Sequence, residues 1–196
     1  MPQVVIAATF TARPGCQAAL EAEAARMVVP TRAEPGCLRY DLFRDPAGIA
    51  FLEAWESPAA LAAHRASPHI QAWRAASAGF VDRREVHTLE PLGDPGPDGA
   101  GPVAVLALVT ALPGCEAALA RELAGMVAPT RLERGCLRYD LHRDAADPAT
   151  LAFLEAWASH GDLEAHLGTP AFAASRERQK ALVAAAEIRL LEPVRA

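Results

Sequence analysis

The chain has 196 residues, of which 52% are hydrophobic and 22% charged, a balance that fits a globular protein with a substantial core. Its formal net charge is -5 and it carries a single lysine, Lys180, which excludes a nucleic-acid backbone or an anionic membrane surface as the expected partner. No apolar run approaches the roughly 20 residues of a membrane helix, and no basic leader precedes the apolar run at 4–8, so a cytoplasmic location with reduced thiols is expected.

Residues 4–11 are apolar and β-branched and end at Pro14-Gly15, which predicts a strand and a turn. Leu20, Ala24, Met27, Val28 and Thr31 then fall on one face of a helix that closes at Pro35-Gly36. Residues 38–44 and 49–55 flank the turn 45–48 and read as a hairpin. Ser57 and Pro58 are an N-cap and first helical residue, and Pro68 predicts a break into two helical pieces ending near Ala78. Residues 81–89 form the last predicted strand.

The pattern then repeats. Residues 30–45 (PTRAEPGCLRYDLFRD) return at 129–144 (PTRLERGCLRYDLHRD) with thirteen of sixteen identities, and FLEAWES at 51–57 returns as FLEAWAS at 153–159. The offset grows from 99 to 102, so three residues entered the loop around Asp147-Pro148. The Gly-, Pro- and Asp-rich stretch 93–102 is expected to be a flexible linker between a domain at 1–92 and a second at 103–196. Each half reads β-α-β-β-α-β, the ferredoxin-like unit, in an α+β chain. Such a sheet is covered by helices on one face only, and the second copy is the expected cover for the other, closing a barrel-like core inside one polypeptide. Exposed sheet edges leave further homodimerisation open.

Pro-Gly-Cys, Pro-Thr-Arg, Glu34, Gly-Cys-Leu-Arg-Tyr, Arg-Asp, Phe-Leu-Glu-Ala-Trp, His64 and Ser67-Pro68-His69 together resemble the antibiotic biosynthesis monooxygenase family, which includes quinol monooxygenases. The likeness spans nearly all of 3–92 and, more weakly toward its end, 102–194. It implies a dimeric α/β barrel, here intramolecular, with a pocket between sheet and helices in each unit. It also implies, for some members, cofactor-independent oxygenation of quinols or phenols. Other members degrade haem or isomerise small molecules, so membership does not fix the reaction. Haem-degrading and some polyketide-oxidising relatives use an asparagine on the first strand; Ala8 and Ala107 stand there, and the chain has no asparagine. That departure argues against haem degradation.

Oxidation without a bound cofactor requires a substrate that supplies its own electrons, a general base and a dry aromatic pocket. His64 and His166 are the candidate bases, since imidazole titrates near neutrality. Tyr40 and Tyr139 are candidates to orient a substrate oxygen. Phe51, Glu53 and Trp55, with Phe153, Glu155 and Trp157, share strand parity and project to one face as substrate-contacting candidates. A carboxylate on an apolar strand needs a partner, and Arg39 or Arg32 is the expected one for Glu53. His69 and Trp73 occur only in the first copy, Ala171 and Ser175 replacing them, so the first copy is expected to hold the more competent site. The five-residue spacing of His64 and His69 across Pro68 is poor for metal ligation, and no Cys-x-x-Cys or dinucleotide fingerprint exists; no metal or cofactor is expected. The expected function is a monooxygenase acting with O₂ on a small aromatic quinol or phenol. The alternatives are an isomerase or other proton-transfer enzyme and a non-catalytic ligand-binding module.

Overall fold

β-Branched and aromatic residues set the strands, and proline and glycine end them. In the computed structural model, which describes residues 3–94, 96–97 and 99–194, the chain divides into two units. Unit 1 comprises Met1–Thr88 with Glu192–Ala196, and unit 2 comprises Leu89–Leu191.

Unit 1 runs β1 (Val4–Ala12), α1 (Gln17–Arg32), β2 (Cys37–Asp45), β3 (Gly48–Trp55), α2 (Pro58–Ala66), α3 (Pro68–Ser77) and β4 (Val81–Pro91), whose last three residues belong to unit 2. Strand β3 is central, antiparallel to β1 (Ala8↔Phe51) and to β2 (Leu42↔Phe51). Every residue of β3 is buried, so both of its faces are covered. The expected stripe of α1, Leu20, Ala24, Met27, Val28 and Thr31, is the buried face of that helix. It packs with Ile6, Phe10, Tyr40, Phe51 and Trp55 into one core. Ser57 accepts from the Ala60 N–H at 3.2 Å and caps α2 as its sequence predicts. The Pro68 break falls as expected: Ser67 is extended (φ -65°, ψ 148°), ending α2 and starting α3. The strand pairs of unit 1 include Phe43↔Pro193 and Arg44↔Glu192, contributed by the chain's C-terminal segment.

Unit 2 repeats the order as β5 (Val103–Ala111), α4 (Glu116–Arg131), β6 (Cys136–Asp144), β7 (Thr150–Trp157), α5 (His160–Leu167), α6 (Pro170–Gln179) and β8 (Val183–Pro193), β8 passing into unit 1 at its end. Strand β7 lies between β5 and β6, β5 also pairs with β8, and Leu89↔Asp144 joins the end of β4 to β6. The three-residue insertion is a turn closed by side chains: Asp144 Oδ1 accepts from the Ala146 N–H at 2.7 Å, and Thr150 donates to Asp147 at 2.7 Å. Each unit is the ferredoxin-like fold expected from the repeat.

Described residues of the segment expected to be a flexible linker make contacts with unit 2. Arg131 donates to the Asp94 carbonyl at 3.1 Å, and the Gly96 N–H donates to Asp140 at 3.0 Å. A side chain at Gly99 would collide with the Leu137 carbonyl. Pro95 and Asp98 of that segment lie outside the described residues. No described helix is long and apolar enough to cross a membrane.

Candidate functional site

In unit 2 the helices stand off the sheet around a cavity of about 620 Å³. Tyr139 from β6, Phe153 and Glu155 from β7, His166 from α5 and Phe172 from α6 line it, with Val105, Ala107, Leu123 and Met126 behind. Arg176, Gln179 and Lys180 from α6 and its end, with Ile188 and Leu190 of β8, complete the wall. Ile188 and Leu190 are exposed apolar side chains, so the cavity reaches the surface along β8.

His166 is held on three sides. Its Nδ1 lies 2.9 Å from Glu133 Oε2, its ring lies over Trp157 at a centroid distance of 4.9 Å and a tilt of 31°, and Phe172 meets it edge-on at 4.9 Å. With Nδ1 donating to the carboxylate, Nε2 is the basic nitrogen; it is buried and has no hydrogen-bond partner among the described residues. Tyr139 stands 5.5 Å from the imidazole and 4.6 Å from Phe153, centroid to centroid. Burial, then the nearby Glu155 charge, pushes the Tyr139 phenol well up, so its hydroxyl stays protonated. The Trp157 indole N–H donates to Glu155 Oε2 at 2.9 Å, and burial lifts the carboxyl to about 7 against that bond.

Unit 1 holds the same constellation without the space. Tyr40, Phe51, Glu53 and His64 line a cavity of only about 40 Å³. Two residues account for the difference. Trp73 of α3 packs edge-on against Phe10 at 4.8 Å and Phe51 at 5.9 Å, and Arg84 of β4 lies 5.9 Å over the Phe10 ring. Their counterparts by the repeat offset are Ser175, which turns away to donate to Glu122 at 2.8 Å, and Ala186. The first copy, expected to hold the more competent site, thus has the smaller of these two cavities. Trp73 fills the pocket it was expected to furnish, and the open cavity is in unit 2.

The expected Glu53 salt bridge is also replaced. Arg32 and Arg39 both pair with Asp41, at 2.8 and 3.2 Å, while the Trp55 indole N–H donates to Glu53 at 2.8 Å. Burial raises Glu53 to about 7. Trp55 and Trp157 are completely buried and line neither cavity; each supports the glutamate and histidine in front of it. His69 lies outside the cavity, turned to Glu34 and Thr31. His64 Nδ1 is 2.8 Å from Glu34 Oε2; burial lowers the imidazole and the Glu34 charge raises it. The four cysteines are free thiols, and burial first, then neighbouring carboxylates, raises Cys37 and Cys136 to about 11.

Sequence reasoning missed Glu34 and Glu133 as partners of the histidines. Both recur two residues before the Gly-Cys pair, yet nothing in their spacing ties them to His64 and His166. Arg176 recurs as Arg74, whereas Phe172, Gln179 and Lys180 carry no signal beyond helical placement.

These are ferredoxin-like units, one with an apolar cavity built around a carboxylate-held histidine. Residues 3–76 and 102–178 each match the family model described as Antibiotic biosynthesis monooxygenase, and the chain belongs to that family. It is 38% identical over 94 residues to Rv0793 of Mycobacterium tuberculosis, a protein provisionally named a monooxygenase, covering 46% of this chain and 93% of that one. Among solved structures, FN1347 of Fusobacterium nucleatum is similar with a TM-score of 0.83 and 14% identity, over 98% of this chain and 93% of that chain. A Lactobacillus acidophilus protein is similar with a TM-score of 0.75 and 16% identity, over 98% and 94%. Both structural likenesses show the fold.

Proposed function

We propose that unit 2 is a monooxygenase-type catalytic unit that oxidises a small aromatic quinol or phenol with O₂ and without a bound cofactor. The observation that carries this reading is the cavity of about 620 Å³, walled by apolar side chains around a histidine whose Nδ1 is fixed on Glu133 at 2.9 Å. Phe153 and Phe172 sandwich an aromatic ring, and Tyr139 donates to a substrate oxygen. His166 Nε2 takes the hydroxyl proton, which turns the ring into a reductant for O₂. One oxygen atom enters the ring and the other leaves as water, so that a hydroquinone and O₂ give a hydroxyquinone and water. The Glu133 carboxylate stabilises the imidazolium formed on the way, its pull strengthened where solvent is expelled. With free thiols and an acidic surface, the cytoplasm is the proposed setting.

Oxygen uptake with a panel of benzo- and naphthohydroquinones tests this. His166→Ala is expected to lower turnover by about 100-fold or more, and Ser175→Trp, which imports the filling residue of unit 1, to block it. No uptake with any hydroquinone, or uptake that survives both substitutions, refutes it. The Glu155 carboxyl, lifted to about 7 in the same cavity, favours a second reading in which Glu155 and His166 shuttle a proton in an isomerisation. That reaction consumes no O₂.

A further inference from the structure

We propose that unit 1 carries a site for a zinc-class divalent cation, formed by Glu34, His64 and His69. The three side chains offer one carboxylate and two imidazoles whose ligand atoms all lie within 4.8 Å of one another. Spacing along the chain conceals this. Pro68 ends α2 and restarts the chain as α3, so His69 leaves the face of His64's helix and returns to Glu34 from a second direction.

Both imidazoles face Glu34, and His69 Nε2 also lies 3.2 Å from Thr31 Oγ1 and 3.5 Å from Ser67 Oγ. His64 Nδ1 is 2.8 Å from Glu34 Oε2, and His69 Nε2 is 3.0 Å from Glu34 Oε1. The second contact lacks hydrogen-bond geometry, and Oε1 is buried with no hydrogen-bond partner among the described residues. Two atoms bound at 2.0–2.1 Å to a tetrahedral ion stand about 3.4 Å apart, so the three ligand atoms, which lie within 4.8 Å of one another, need to shift by up to about 1.4 Å to close on it. Two nitrogens and one oxygen with a fourth position left open suit zinc and its neighbours rather than calcium or magnesium. His69 and Glu34 are 26% and 15% exposed, so an ion has a way in from the surface.

Unit 2 supplies an internal control. Glu133 and His166 repeat the first pair, but Ala171 stands where His69 does. Two ligands without the third hold no ion tightly. The duplicated halves thus differ in two respects: unit 1 has Trp73 and a third ligand where unit 2 has Ser175 and Ala171.

Chelator-treated full-length chain titrated with Zn(II) by calorimetry, and with Co(II) by its ligand-field absorption, tests the site. One equivalent per chain is expected, with an affinity reduced at least about 100-fold by His69→Ala and by Glu34→Gln and retained in His166→Ala. Thermal scans of each variant establish that it is folded. No tight binding, two equivalents per chain, or binding that survives His69→Ala overturns the proposal. The readout is binding, so the outcome is independent of whether unit 2 consumes O₂.

Discussion

Trp73→Ser gives unit 1 the residue its twin carries, and the structure sets the size of the effect. The indole is 8% exposed and packs edge-on against Phe10 at 4.8 Å and Phe51 at 5.9 Å. Emptying an aromatic core position costs about 3–5 kcal/mol. Against that, the Trp73 Nε1 is buried with no hydrogen-bond partner among the described residues, and removing such a group returns about 1–3 kcal/mol. The net loss is about 2 kcal/mol, which for a unit of this size lowers Tm by roughly 8–16 °C. Differential scanning calorimetry reads that shift. Titration with an aromatic ligand of the unit 2 cavity reads the second effect, a rise from one binding site per chain to two. A Tm change below about 4 °C would show that Trp73 does not fill the pocket as described. A stoichiometry that stays at one would show that removing its indole does not open unit 1 while Arg84 lies over Phe10.

The buried carboxyl of Glu155 keeps its proton to about 7, whereas the unfolded chain ionises near 4.5. Between those values the unfolded state holds fewer protons, so this group withdraws stability as pH rises, by roughly 3 kcal/mol in all. Urea unfolding at pH 5 and pH 8 is expected to show Glu155→Gln gaining on the parent chain at the higher pH by up to that amount. His142 works in the opposite direction: it is buried, its Nδ1 lacks a hydrogen-bond partner among the described residues, and burial lowers its affinity for a proton. The unfolded chain therefore protonates first as pH falls below the ordinary histidine range, and stability drops. His142→Phe, the residue of the first copy, is expected to blunt that acid sensitivity in the same unfolding assay. Ala171→His restores the missing third ligand in unit 2, and Zn(II) titration is expected to rise from one equivalent per chain to two.

Period and punctuation make the secondary structure legible. The α1 stripe, the Ser57 cap, the Pro68 break and the loop position of the insertion all follow from local rules, and the repeat tests the first three twice. Strand parity places Glu53 and Trp55 on one face, which is enough to suggest their contact; a reading that ranks charge first assigns the glutamate to an arginine, and the arginines find Asp41 instead. Volume is not legible. Whether Trp73 lines a pocket or occupies it depends on how far α3 stands from the sheet, a distance that no periodicity encodes. The meeting of Glu34, His64 and His69 likewise depends on the direction in which the chain leaves Ser67. A proline reports that a helix stops there, and not where the chain goes next.

The chain has three tryptophans, and each stands at a place already singled out. Trp55 and Trp157 give their indole hydrogens to carboxyls that ionise near neutrality, and Trp73 plugs unit 1. Intrinsic emission is therefore an unlabelled optical gauge of both halves. Converting Trp73 to phenylalanine leaves the twin indoles alone in the spectrum, where their quenching reports the charge state of the glutamates they touch.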